Sequence, residues 1–215
     1  MGEKTLLVNE IYDSIQGEGP EQGFPIVLVR LTGCNLRCTY CDSRYTFYQG
    51  DRMTLGAVLE RVEAFGHPRV LVTGGEPMAQ AGTADLCRSL VERGFKVSIE
   101  TNGAYALDNL PVQVMKLVDV KTPGSGEAGC FQAHILDTLD GKDVLKFVLT
   151  SEEDYVWTAG FVERHRRREG PQMYLSPAWG ALDPASIAEW MVRDHLDARL
   201  QVQIHKILWG DKRGR

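Results

Sequence analysis

Cys34, Cys38 and Cys41 lie within the segment GCNLRCTYCD, and the whole chain of 215 residues has only two other cysteines. Three thiolates spaced C-x3-C-x2-C can converge on one metal centre without help from distant loops. A zinc site normally takes four protein ligands. A four-iron cluster held by three cysteines leaves one iron without a protein ligand, open to something reactive. The count and spacing therefore favour an open iron–sulfur cluster. A zinc site that borrows a histidine, or three unrelated thiols, are the alternatives at this level.

Three other stretches have side chains that could do chemistry. In LVTGGEP (71–77), Gly74 and Gly75 let the backbone approach a ligand closely, and Glu76 could accept a hydrogen bond from an ammonium group. In SIQGEGPEQGFP (14–25), Gln16 and Glu18 alternate with glycines and can present donors and acceptors. Arg30 interrupts the apolar run IVLVRLT (26–32). A charge there is costly unless an acid or a ligand pairs with it.

The elements that must position these groups follow from pattern. Residues 5–13, 26–32, 69–73, 96–100, 114–120, 144–150, 172–176 and 199–207 read as strands. Helices are expected at 54–65 with Thr54 as N-cap, at 83–93 closed by Gly94, and near 129–139. Two more follow, one opened by the capping sequence Ser151–Asp154 and one over 184–197 behind Asp183. Strand–helix alternation implies a parallel sheet with helices outside. About seven such strands predict an α/β partial (βα) TIM-like barrel, with a doubly wound open sheet as the second choice. In such barrels the site sits on the loops after the strands. The cysteines, GGEP, ETNG (100–103) and DVK (119–121) all fall there.

Composition narrows the class. Hydrophobic content of 43%, charged content of 25% and a net charge of −5 describe an ordinary globular domain, read as one domain over 1–215. A mildly acidic chain of pI about 5.6 is not built for counterion-release binding, so no nucleic-acid partner is expected. The basic run Arg164–Arg168 reads as a solvated helix end. No run of 18 apolar residues is present and MGEKTLLVNE lacks a signal-peptide pattern. With an odd cysteine count, this predicts a reducing, cytoplasmic setting and no membrane. Cys87 and Cys130 read as small core residues, and His67 and His165 as surface.

The triplet and GGEP together resemble the radical S-adenosylmethionine (SAM) enzymes. Arg30 four residues before Cys34, SIQGEG, SIETNG (98–103) and QIHK (203–206) further resemble the 7-carboxy-7-deazaguanine synthase (QueE) family, from about residue 9 to 210. The resemblance implies a lyase of the queuosine and 7-deazapurine route. It would convert 6-carboxy-5,6,7,8-tetrahydropterin to 7-carboxy-7-deazaguanine with loss of ammonia, as a homodimer fed by flavodoxin or ferredoxin. It implies a 4Fe-4S cluster on Cys34, Cys38 and Cys41, whose electron cleaves SAM to a radical that takes hydrogen from C6 of the pterin and is later returned, regenerating SAM. SAM would lie against Tyr40, Cys41, Asp42, Gly75, Asp119, Val120, Lys121 and Ser176, Pro177, Ala178 and Trp179. The pterin would meet Ile15, Gln16, Gly17, Glu18, Arg30, Thr73 and His205. Arg30 suits a carboxylate because its planar fork binds bidentately. A Mg2+ ion would sit on Ser43, where the family usually has threonine. Trp179 and Trp209 depart from the family pattern, and the short tail after Gly210 questions any substrate contact by the chain end. A radical SAM activase of a glycyl-radical enzyme and a non-catalytic zinc-binding module are the other functional readings.

Overall fold

The computed structural model describes residues 4–215. Residues 1–3, where the N-terminal stretch and the single-domain reading begin, lie outside the described residues. β1 (Thr5–Ile15) folds back on β2 (Pro25–Leu31) as an antiparallel pair, and β3 (Asp51–Thr54) lines the free side of β1. From β2 onward every neighbour is parallel: β4 (Arg69–Gly74), β5 (Lys96–Thr101), β6 (Met115–Asp119), β7 (Val144–Leu149), β8 (Gln172–Pro177) and β9 (Arg199–Leu200). The sheet order is β3-β1-β2-β4-β5-β6-β7-β8-β9. The curl ends at β3 and β9, which makes it a partial barrel.

Strand alternation assigns the two faces. Val27, Val29 and Leu31 of β2, Val70 and Val72 of β4, and Leu145, Phe147 and Leu149 of β7 join one core cluster. The helices α1 (Leu55–Glu63), α2 (Thr83–Glu92), α3 (Glu152–His165) and α4 (Pro184–Arg193) bury Val62, Leu86, Phe161 and Ile187 in that same cluster. All four helices therefore cover one face, which removes the doubly wound alternative. The other face is concave. Residues of the opposite parity (Leu28 and Arg30, Leu71 and Thr73, Leu117 and Asp119) face a cavity there.

The expected caps are present. The Thr54 hydroxyl accepts from the Ala57 N–H at 3.2 Å, and Asp183 accepts from the Ala185 N–H at 2.9 Å. Ser151 accepts from Asp154 at 3.4 Å. The basic run ends α3 and is neutralised from outside: Arg166 pairs with Asp197, and Arg167 with Asp137 at 3.2 Å.

Three local expectations fail. The helix near 129–139 is only a 3-10 turn, Ala133–Thr138, because Gln132 provides no side-chain cap and only Ile135 and Leu136 bury. α4 stops at Arg193 rather than Asp197, where His195 takes a left-handed φ of 51°. The strand expected over 199–207 lasts two residues. Beyond Leu200 the backbone turns to the 16–23 loop, with Gln201 clamping Gly19 through bonds of 2.7 and 3.0 Å. The Ile204 N–H then reaches the Gly17 carbonyl at 3.2 Å. The segment continues as a short helix, α5 (Ile204–Trp209).

Candidate active site

The concave face encloses one cavity of about 480 Å³. Cys34, Cys38 and Cys41 line it on the loop after β2. That loop is pinned by the end of β4: the Gly75 N–H donates to Leu31 O at 3.1 Å and the Glu76 N–H to Gly33 O at 2.7 Å. A Cβ on Gly75 would lie 2.2 Å from the Gly33 carbonyl and 2.8 Å from Cys34 Cβ. The paired glycines thus let the two loops touch each other. Glu76 does not wait for an ammonium group. It is fully buried, and its carboxylate accepts from Met78 N at 2.9 Å, Thr101 Oγ1 at 2.7 Å and Asn102 N at 2.7 Å. It ties GGEP to the turn after β5. Burial pushes its carboxyl up and those bonds oppose the shift.

Burial also raises the Cys34 thiol and pushes Cys38 up to about 11. Loading a metal onto these sulfurs must release protons. All three cysteines line the one chamber, the arrangement that a cluster held by three thiolates with one open iron requires.

Among the described residues five buried polar side-chain atoms have no hydrogen-bond partner. Four belong to cavity-lining residues: Tyr40 OH and Asp119 Oδ1, and Ser14 Oγ and Gln16 Nε2. Each such atom costs about 1–3 kcal/mol unless a ligand or water meets it. The first two belong to the cysteine loop and the end of β6, where SAM is expected. The other two belong to the end of β1 and its loop, where pterin is expected. The donor set and the orphaned atoms therefore fit a cluster, SAM and a polar second ligand.

A band of charge lies across the chamber. Lys146 of β7 pairs with Glu18, which also accepts from Gln203. Burial would lower the Lys146 ammonium, but Glu18, Asp119 and Glu100 hold it high. Glu100 is raised by burial and then by Glu18, and accepts from the Thr73 hydroxyl at 3.0 Å. Asp119 is bound to Lys121 at 2.6 Å; burial would raise it, yet Lys121 and Lys146 keep it below the usual carboxylate range. Burial lowers the His205 imidazole, whose ring packs so close to Gly17 that a Cβ there would be 1.8 Å from Nδ1.

Arg30 Nε donates to Glu10 at 2.7 Å and Nη2 to Tyr12 OH at 3.2 Å. Its Nη1 has no protein partner among the described residues. The Ser43 hydroxyl donates to Asp42 Oδ1 at 2.7 Å. Asp42 stays low because, against the upward push of burial, that bond and Lys206 at 3.5 Å favour its charged form.

Gly75, Ile15, Ser176, Pro177, Ala178 and Trp179 also line this chamber, as do the other expected residues, with one exception. Val120 is 1% exposed in the helix-facing core, since its parity matches Val118. Sequence reasoning missed Glu100, Lys146, Tyr12, Gln203 and Lys206. For Glu100 and Lys146 the signal was present. Lys146 is a lone charge in an apolar strand, like Arg30, and Glu100 a charge on the side of its strand opposite the buried Val97 and Ile99.

The chain matches the Radical SAM superfamily over residues 28–118. It is 39% identical to "7-carboxy-7-deazaguanine synthase" of Koribacter versatilis, across 95% of this chain and 97% of that one. It is 39% identical to the protein of the same name from Chlorobaculum tepidum, across 99% and 98%. In fold it resembles the crystal structure of QueE from Escherichia coli, with a TM-score of 0.76 at 20% identity over 93% and 94% of the two chains.

Proposed function

Because the chain belongs to the 7-carboxy-7-deazaguanine synthase family, we propose that its one large cavity holds SAM and 6-carboxy-5,6,7,8-tetrahydropterin side by side. The chain is a radical SAM lyase of 7-deazapurine biosynthesis. The observation that carries the two-ligand reading is the split of the orphaned polar atoms, Tyr40 and Asp119 against Ser14 and Gln16.

Cys34, Cys38 and Cys41 would hold the 4Fe-4S cluster, which with SAM supplies the radical that takes a hydrogen atom from C6 of the pterin. Everything else falls to this chain's residues. Tyr40 and Asp119 offer SAM a hydroxyl and a carboxylate oxygen, and Lys121 fixes Asp119. Arg30, anchored by Glu10 and Tyr12, presents its Nη1 edge to the substrate carboxylate. Gln16 and Ser14 meet the pterin ring, while Glu18 and Glu100 accept from its N–H groups. The neutral His205 closes the wall behind Gly17. Ser43 and Asp42 form an adjacent pair of hard oxygen donors suited to Mg2+. A homodimer would cover Ile207 and Leu208 of α5, exposed by 62% and 56%. Among the described residues no helix is long and apolar enough to cross a membrane, and the free thiols suit a reducing, cytoplasmic setting.

The test is anaerobic turnover of the reconstituted protein with SAM, reductant, Mg2+ and the carboxypterin, followed by mass. Formation of 7-carboxy-7-deazaguanine and ammonia is expected. SAM cleavage without that product would reject the substrate and favour an activase.

A further inference from the structure

Arg30 is held from behind by side chains outside the lining of the chamber. Glu10 stands directly opposite Arg30 in the β1–β2 register, and its Oε1 accepts from Arg30 Nε at 2.7 Å. The same oxygen accepts from the Tyr45 hydroxyl at 2.8 Å. Tyr12 and Arg30 line the chamber, whereas Glu10 and Tyr45 do not. Tyr45 belongs to no strand. It sits on the 3-10 turn Arg44–Phe47, shortly after Cys41. That turn is pinned by its neighbour. The N–H and the hydroxyl of the fully buried Thr46 both donate to Ser43 O, at 2.9 and 2.8 Å. Thr46 O accepts from the Gly33 N–H at 2.9 Å. Gly33 precedes Cys34, so this last bond closes the cysteine loop and sets Tyr45 beside Glu10. The Arg213 guanidinium lies over the Tyr45 ring, 4.0 Å from its centre.

We propose that Tyr45 is a positioning residue for recognition of the substrate carboxylate, through which the cysteine loop sets the aim of Arg30. The inference rests on the carboxypterin reading and adds a specificity determinant to it. An arginine that is loose in the free enzyme loses rotamer freedom when it meets an anion. Here that loss is taken during folding. Two donors on one oxygen fix the Glu10 carboxylate, Glu10 fixes Nε, and Tyr12 holds Nη2 at 3.2 Å. The Nη1 edge is then aimed before the substrate arrives. Without the Tyr45 hydroxyl, Glu10 and Arg30 keep their mutual bond but can swing as a pair. The loss falls only on ligands that carry the carboxylate.

The test measures binding of two ligands to the cluster-loaded enzyme with SAM and no reductant: 6-carboxytetrahydropterin, and tetrahydropterin without the carboxylate. Wild type should prefer the first. Tyr45→Phe removes one hydroxyl and keeps the ring beneath Arg213. It should weaken carboxypterin binding about ten-fold, the scale of a lost hydrogen bond to a charged group. Tetrahydropterin affinity, SAM affinity and iron content should not change. In an Arg30→Ala background the same substitution should have no further effect, because the two residues act as a unit. Unchanged carboxypterin affinity, equal weakening of both pterins, or an additive loss in the double variant overturns the assignment. Loss of iron in Tyr45→Phe would mark a purely structural role in the cysteine loop and overturns it too. A wild type without preference for the carboxylated ligand would instead refute the substrate reading, and the proposal with it.

Discussion

Two buried lysines show how differently this fold treats charge inside and outside its chamber. Lys116, near the start of β6, lies outside the cavity. Its ammonium meets Asp143 at 3.3 Å and Thr138 O at 3.4 Å. Asp143 in turn accepts from the N–H groups of Lys116 at 2.8 Å and Asp140 at 3.1 Å. Each charged group there has a partner. Lys146, inside the chamber, faces three carboxylates, Glu18, Glu100 and Asp119, and Asp119 Oδ1 is left without any bond. A closed account of hydrogen bonds marks a structural pair. An open one, in a cavity of about 480 Å³, marks groups arranged for molecules that come and go.

The contrast can be broken at either end. The largest effect is expected from Asp143→Ala, which strands the buried Lys116 ammonium and should lower unfolding free energy by about 3–5 kcal/mol. Denaturant titration measures this, and SAM affinity in the remaining folded protein should be unchanged. Arg30→Ala should leave iron content and SAM cleavage intact but weaken carboxypterin binding by roughly 100-fold, since a charged partner is lost in a buried site. Normal pterin affinity in that variant would remove Arg30 from the substrate site.

The two faces of each strand were only half legible in the sequence. Thr54, Ser151 and Asp183 gave the helix starts, and the apolar runs gave all seven parallel strands in number, though β9 far too long. The reason lies in Gln201, whose side-chain bonds to Gly19 end the strand from 182 residues away in sequence, beyond any local pattern. Arg30 was singled out as a charge within an apolar strand. The same rule, with period-two alternation, points to Lys146 and Glu100 and excludes Val120. Glu76 misled because a carboxylate beside glycines reads equally as a ligand contact or as a brace between loops, and only its three bonds decide.

A smaller effect should follow Ser43→Ala. Losing one hard oxygen beside Asp42 should reduce Mg2+ affinity about 10-fold, seen as a blunted turnover response to added Mg2+. No Mg2+ response in either protein would dismiss the metal.

Glu100→Gln should act in the opposite sense on stability. Burial and Glu18 raise its carboxyl, so the folded state favours the protonated form. Its contribution to stability is full below the unfolded pKa and is lost as pH rises through the raised folded value. Glutamine cannot ionise, so the variant should be more stable at pH 8, on the order of 1 kcal/mol, and indistinguishable near pH 4. It should also turn over more slowly. A constant difference across that range would contradict the assignment.

The most direct test of two ligands in one chamber uses carboxypterin labelled with deuterium at C6. A single anaerobic turnover should move that deuterium into SAM or 5′-deoxyadenosine while 7-carboxy-7-deazaguanine forms. Product without label in either molecule would mean that the hydrogen leaves by another route, and that the two sets of orphaned groups do not serve adjacent ligands.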